Sequence, residues 1–444
     1  MLKKIEKPDI SAFKEIDTYR QLSRNEVRLF LAQKSFEPYA HWEKIKYWET
    51  PDGIKPIEIW ATIKFLRKHF FAKKESVVKD ESENPFTWIW MQGLEQFLHD
   101  VDMKLGGSLF VGVQMSDNMQ RRFLSRGIME EAIASSQLEG AHTSRKAAQK
   151  IILEGKKPIN KSEQMIVNNY EAMRLIEDEL KNQDMNEKIL LNLHRILTKN
   201  TLEKSEIGRY RRNADDIIVG DNSVRGEIFH IPPKEKFVRK EMSRFIAYVN
   251  NQLQDSHFVH PVIKAIIIHF WIGYLHPFVD GNGRMARVLF HWYLLREKYW
   301  AFGYLPLSKI IKNSPAQYRE AYVYTEQDDN DLTYFIDYNV RKIIQAMQEF
   351  ETYAERKSKE NASMAKLARG KYQFNERQIQ LLRYLYKNKD ATTSITSHAK
   401  VNEVSRLTAM KDLKNLQGAG FATSKKTGRT VYYYASDKVT ALFE

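Results

Sequence analysis

The chain has 444 residues, 43% of them hydrophobic, which is enough for two or three domains with real apolar cores. It contains no cysteine, which excludes disulfides, zinc–thiolate centres and a cysteine nucleophile; that suits a reducing cytosol. The formal net charge of +14 invites a polyanionic partner, and residues 371–444 carry 13 Lys+Arg against 6 Asp+Glu, a net +7.

The opening Met1-Leu2-Lys3-Lys4-Ile5-Glu6 lacks the apolar core of a signal peptide, so a cytoplasmic location is expected. Residues 1–100 form an N-terminal, mainly helical region rich in tryptophan (Trp42, Trp48, Trp60, Trp88, Trp90), best read as packing anchors. Pro56 opens a helical pattern through Leu66, and the charged Lys73–Pro85 stretch is expected to be an exposed loop. From about Met115 to Tyr353 one helical pattern follows another, including 118–137, 161–180 and 185–199. His194 falls within the third, where a satisfied structural histidine is the simplest assignment.

Residues 217–233 break the series. Two short β-branched or aromatic runs flank a Gly/Asp/Asn/Ser turn, which predicts a hairpin whose edge, around Ile228, Phe229 and His230, can accept an extended peptide. The longest apolar run, Val262 to Leu275, is 14 residues long and contains Lys264 and His269. It is too short for a bilayer span and predicts a buried helix, so no membrane is expected. Residues 351–372 read as a helical linker. Residues 373–444 follow with a helix capped by Asn375, a short helix near 394–400, a helix over 405–417 ending at Gly418, and a basic hairpin. That order suggests a winged helix-turn-helix, with Arg406, Lys411 and Lys414 on its third helix and Lys425, Lys426 and Arg429 on the wing, facing DNA or a docking protein.

The buried helix delivers His276-Pro277-Phe278-Val279-Asp280-Gly281-Asn282-Gly283-Arg284-Met285-Ala286-Arg287. Gly281, Asn282 and Gly283 permit a turn whose N–H groups form an anion-binding concavity at a helix N-terminus. Arg284 and Arg287, three apart, are expected to face phosphate together. Asp280 offers a hard oxygen to a divalent cation, and His276 has a pKa suited to proton transfer.

This stretch resembles the Fic family of protein adenylyltransferases, whose pattern His-x-Phe-x-Asp/Glu-Gly-Asn-Gly-Arg-x-x-Arg it matches at all eight specified positions. The resemblance covers roughly residues 101–350 and implies a mainly α fold, a Fic helical core with the hairpin as its flap. It implies ATP as substrate and Mg2+ on Asp280, with Gly281 to Arg287 (Met285 and Ala286 included) about the nucleotide. His276 would then take the proton from a Ser, Thr or Tyr hydroxyl of a target protein as that oxygen attacks the α-phosphorus. Tyr318 is placed by the adenine from family spacing. Ser135-Ser136-Gln137-Leu138-Glu139-Gly140 resembles the family's inhibitory helix motif, near 130–140, implying that Glu139, with Ser135, pairs with Arg287 and shuts the site. The subclass leaves a homodimer open. Alternatives that stay open are a DNA-binding regulator that senses nucleotide, transfer of UMP, phosphocholine or phosphate, and removal of AMP.

Overall fold

The computed structural model describes residues 4–34, 39–106, 117–220, 226–388, 391–428 and 430–439. The fold is mainly α. Helices α1 (Glu15–Ser23), α2 (Asn25–Lys34) and α3 (Pro56–His69) pack around Val27, Leu31, Trp42, Ile45, Ile59, Trp60 and Ile63, a core of their own. Pro56 occupies the first turn of α3, where its missing N–H costs nothing.

The expected loop at Lys73–Pro85 is instead most of an antiparallel hairpin, β1 (Lys73–Lys79) with β2 (Pro85–Ile89). Its turn is closed by Asp80, whose Oδ1 accepts from the N–H groups of Ser82 and Asn84 at 2.9 Å each. Val77, Val78, Phe86, Trp88 and Ile89 bury themselves in the central core, which also takes in Ile5 and Tyr39.

The central body contains α4 (Asp117–Leu138), α5 (Arg145–Glu154), α6 (Lys161–Leu175) and α7 (Glu187–Thr198). A two-stranded flap follows, β3 (Val219–Gly220) against β4 (Ile228–His230), then α8 (Glu235–Val249), α9 (Pro261–Leu275) and α10 (Asn282–Arg296). α9 is apolar on nearly every face and buried on nearly every face, with 13 of its 15 residues enclosed. It packs along α10, and α4 lies across α10. α11 (Pro315–Gln327) covers the side near the flap. No helix among the described residues is long and apolar enough to cross a membrane.

α12 (Thr333–Lys371) runs 39 residues without interruption, its first half in the central core through Phe335, Ile343 and Phe350 and its second half spanning the expected linker. Beyond it a third core forms around Phe374, Leu382, Leu385, Leu413, Leu416 and Phe421. Its elements are α13 (Glu376–Lys387), β5 (Thr393–Ser394), α14 (Ile395–Asn402), α15 (Arg406–Gly418), β6 (Ala422–Thr427) and β7 (Thr430–Ala435). The strands form one sheet in the order β5-β7-β6. Asn375 caps α13 as expected, accepting from the Gln378 N–H at 3.0 Å; α15 includes Gly418 and turns at Gly420, the glycine with φ +79°. This unit rests on the central body through Glu403, which meets Arg174 of α6 at 2.5 Å, and through Lys400 over the Tyr170 ring at 4.9 Å.

Candidate active site

The loop between α9 and α10 is built before any chemistry is asked of it. α9 stops because His276 takes a left-handed conformation, φ +47°, returning its N–H to the Ile272 carbonyl at 3.0 Å. Phe278, fully buried, stacks on the His194 ring at 4.0 Å, and Asn282 clips the turn from inside. Its Oδ1 accepts from the Phe278 N–H at 2.9 Å and its Nδ2 donates to the Phe278 carbonyl at 2.8 Å. The Asn282 side chain is therefore part of the scaffold, and only its backbone faces the turn. His194 Nδ1 accepts from the Gly208 N–H at 2.9 Å, so Nε2 carries the proton and donates to the Asp280 carbonyl at 3.1 Å. Burial pushes its pKa down to about 4, and it is the satisfied structural histidine that its setting suggested.

Gly281, at φ +85°, caps α10 and aims the first N–H groups of that helix, those of Asn282, Gly283 and Arg284, outward with no intrahelical acceptor. The Glu139 carboxylate lies against Gly283. A Cβ on Gly283 would come within 2.1 Å of Glu139 Oε1, so glycine is what lets an anion approach here. His276 Nδ1 sits 3.2 Å from the Gly273 carbonyl, to which it donates, leaving Nε2 as the basic nitrogen. Burial first, then the neighbouring His230, push the His276 pKa down to about 4. Asp280, more than a third exposed, accepts from the Gly281 N–H at 2.6 Å and faces Arg284 Nη2 at 3.4 Å.

The two arginines do not behave alike. Arg284 is fully buried and donates through Nη1 to the Leu197 carbonyl at 2.7 Å, so it braces α7 and Asp280. Arg287 turns to α4, donating from Nε to Ser135 Oγ at 2.8 Å and from Nη2 to the Ser135 carbonyl at 3.0 Å and Glu139 Oε1 at 2.7 Å. Met285 and Ala286, expected near the nucleotide, lie at 0% exposure in the central core. Successive helical positions rotate by about 100°, so Met285 and Ala286 turn their side chains away from the site.

A second contact between α4 and α10 lies one turn deeper and escaped the sequence reading. Buried Glu131, four residues before Ser135, accepts from the Ser308 N–H at 2.8 Å and from the Ser308 hydroxyl. His291, four after Arg287, places Nε2 at 3.6 Å from the same carboxylate. Burial raises the Glu131 pKa, but His291 and Ser308 outweigh it and hold the carboxyl below its usual range. The i, i+4 spacing of Glu131, Ser135 and Glu139 was the signal available.

In the flap, Ile228 is half-buried, whereas the Phe229 and His230 side chains are buried. Arg319 lies over the Phe229 ring at 4.1 Å. His230 places Nδ1 at 2.6 Å from Glu326 Oε2 and Nε2 at 2.7 Å from the Tyr274 carbonyl, its ring 6.4 Å from that of His276. Arg211, also missed, ties flap to motif by donating to the carbonyls of His276 at 2.7 Å and Pro233 at 2.5 Å. Tyr318 meets His269 Nε2 at 2.7 Å, on the side of Arg287. Far from this site, Arg406, Lys411, Lys414, Lys425 and Lys426 are all exposed, and Arg429 lies outside the described residues.

The stretch that holds this machinery matches a family model. Residues 184–294, from α7 through the flap to α10, match the Fic/DOC family. The chain contains a Fic domain. Ser135, Glu139 and Tyr318 lie outside the matched residues. A protein adenylyltransferase Fic of Drosophila mojavensis is 36% identical over 131 residues, 30% of this chain and 22% of that protein. Its Drosophila melanogaster counterpart is 34% identical over 116 residues, 26% and 21%. The Fic match thus spans about a fifth of the length of these curated relatives. Among solved structures, a Fic family protein from Desulfovibrio desulfuricans aligns at 18% identity and a TM-score of 0.47 over 78% of this chain and 95% of that one.

Proposed function

We propose that this protein is an adenylyltransferase that moves AMP from ATP to a Ser, Thr or Tyr hydroxyl of a target protein, itself included, and that Glu139 holds it at low activity. The observation that carries the reading is convergence. A histidine with Nε2 as its basic nitrogen, a glycine-lined helix N-terminus and Arg287 meet at one place, and the Glu139 carboxylate lies against Gly283 and bonds to Arg287. The two Drosophila relatives bear the name protein adenylyltransferase, which supports the reaction class.

The chemistry balances with these residues. The target hydroxyl oxygen attacks the α-phosphorus, the bond from that phosphorus to the bridging oxygen breaks, and pyrophosphate leaves. His276 Nε2 takes the hydroxyl proton. The N–H groups opening α10 receive the phosphates, and Arg287, once released from Glu139, neutralises the terminal one. Arg284 acts indirectly, by fixing Asp280. A magnesium ion fits Asp280 only as a guest of the nucleotide. Among the described residues no group of three or more His, Cys, Asp or Glu gathers to hold a metal, so Asp280 would be the protein's ligand to an ion that arrives with the nucleotide. When bound it supplies positive charge to the phosphates. The flap offers a two-stranded sheet to which an extended target segment adds as a strand.

Transfer of label from α-32P-ATP tests the scheme. Wild type labels itself weakly, Glu139→Gly strongly and His276→Ala not at all; equal labelling of all three refutes it.

For residues 373–444 we propose a winged helix-turn-helix that binds DNA. The order helix, strand, helix, helix, hairpin and the five exposed cations of α15 and β6 support this. Duplex retardation that weakens steeply with salt supports it, and salt-independent capture of a protein instead makes this a docking module.

A further inference from the structure

The flap histidine faces two acceptors and no donor. Glu326 Oε2 lies 2.6 Å from its Nδ1 and the Tyr274 carbonyl 2.7 Å from its Nε2. A neutral imidazole carries one N–H and one lone pair, so in that form one lone pair would confront an oxygen lone pair at hydrogen-bond distance. Two N–H groups satisfy both contacts. The proton could instead reside on Glu326, but a carboxylic acid is more acidic than imidazolium by about two pH units, which favours the ion pair. His230 is 7% exposed, and the Glu326 side chain 17%, so solvent screens the pair little.

We propose that His230 is an imidazolium, pinned between Glu326 and the Tyr274 carbonyl, and that it is a positioning residue for the reaction: it fastens the flap to the end of α9 and stands as a fixed positive charge beside His276, keeping that base free of its proton. The two rings are 6.4 Å apart, close enough for one charge to oppose another across a partly buried site. Other charges face the pair. Arg211, from the loop after α7, also opposes a proton on His276, whereas Glu139, at the end of α4, favours one. Arg211 likewise opposes the charge on His230. Burial opposes that charge as well, and Glu326 outweighs both, holding the His230 pKa above its usual value. His276 moves the other way, as stated above. The arrangement resolves a conflict in the site: Glu139 would tend to charge the base, and His230 offsets that carboxylate.

The role in catalysis rests on the adenylyltransferase reading; the charge state does not. Both are read together. Histidine-labelled protein is titrated by NMR, with His230→Gln and His276→Ala used to assign the two rings. His230 stays charged from pH 6 to 8, and His276 titrates well below the usual histidine range. In Glu326→Gln and in His230→Gln the His276 midpoint rises by on the order of one pH unit. In the Glu139→Gly background, the acid limb of single-turnover self-labelling rises by the same amount in both variants. Ile228→Ala, which loosens the flap without changing charge, slows labelling and leaves the limb in place. A neutral His230 at pH 7, or a His276 midpoint indifferent to both substitutions, overturns the proposal. If the NMR shifts occur and no variant transfers AMP, the ion pair stands and the reaction assigned to His276 fails.

Discussion

Two regions of this protein concentrate charge, and they treat it in opposite ways. Around the α9–α10 turn, Arg284, Arg287, Glu131 and His230 are buried, the cations held by backbone carbonyls or an opposite charge and Glu131 by the N–H and hydroxyl of Ser308. On α15 and β6, Arg406, Lys411, Lys414, Lys425 and Lys426 stand in solvent around a compact apolar core. Buried charges are expensive to leave unpaired, so each must have a defined partner and a change of partner is a discrete event. Solvated charges act by their sum and tolerate substitution. The first region is suited to a switch and the second to a surface.

The largest test of that contrast is His276→Ala, expected to lower AMP transfer by about 10²–10⁴-fold with little change in melting temperature. Phe278→Ala removes the ring stacked on His194 and should cost about 3–5 kcal/mol, read by denaturant unfolding, because the turn loses its internal anchor. Glu139→Gly removes a charge-assisted bond of roughly 1.5–3 kcal/mol from Arg287, so self-labelling should rise by about ten- to a hundredfold.

The C-terminal unit supplies the smaller effects and one exception to its own rule. Asp412, on α15, is buried and accepts from Arg377 at 2.6 Å and 3.0 Å while His398 lies 3.2 Å away. Burial raises its pKa, but His398 and Arg377 outweigh that and hold it well below the carboxylate range. A depressed folded value means that the stabilisation is complete above the unfolded pKa, near 3.9, and lost as pH falls through the folded one. Acid melting of this unit should therefore steepen below about pH 4 in the wild type and flatten in Asp412→Asn. Lys414→Ala, at the exposed surface, should change stability by less than about 0.5 kcal/mol; a larger loss would show that the basic face is packed against something.

The sequence made the turn legible because its constraints are local: glycines, an asparagine and a helix start leave few ways to fold twelve residues. The helix cap at Asn375 was readable for the same reason. The Glu139–Arg287 contact, 148 residues apart, emerged only through resemblance to a family pattern. The β1–β2 hairpin was not legible, since its turn is closed by an aspartate side chain without glycine and its lysines mask Val77 and Val78. Nor were the pairs Glu131–Ser308 and His230–Glu326, which join elements 177 and 96 residues apart. No local pattern encodes them; tertiary packing does. Met285 and Ala286 lie inside the motif, but the helix turns their side chains into the core, leaving only their backbone toward the turn.

The central claim is that Glu139 occupies the place and the arginine that ATP needs. Intact mass of Glu139→Gly after incubation with ATP and magnesium, beside the wild type, tests it most directly. A gain of one AMP unit or more in the variant and almost none in the wild type is the predicted result. No gain in the variant, or equal gain in both, would contradict it.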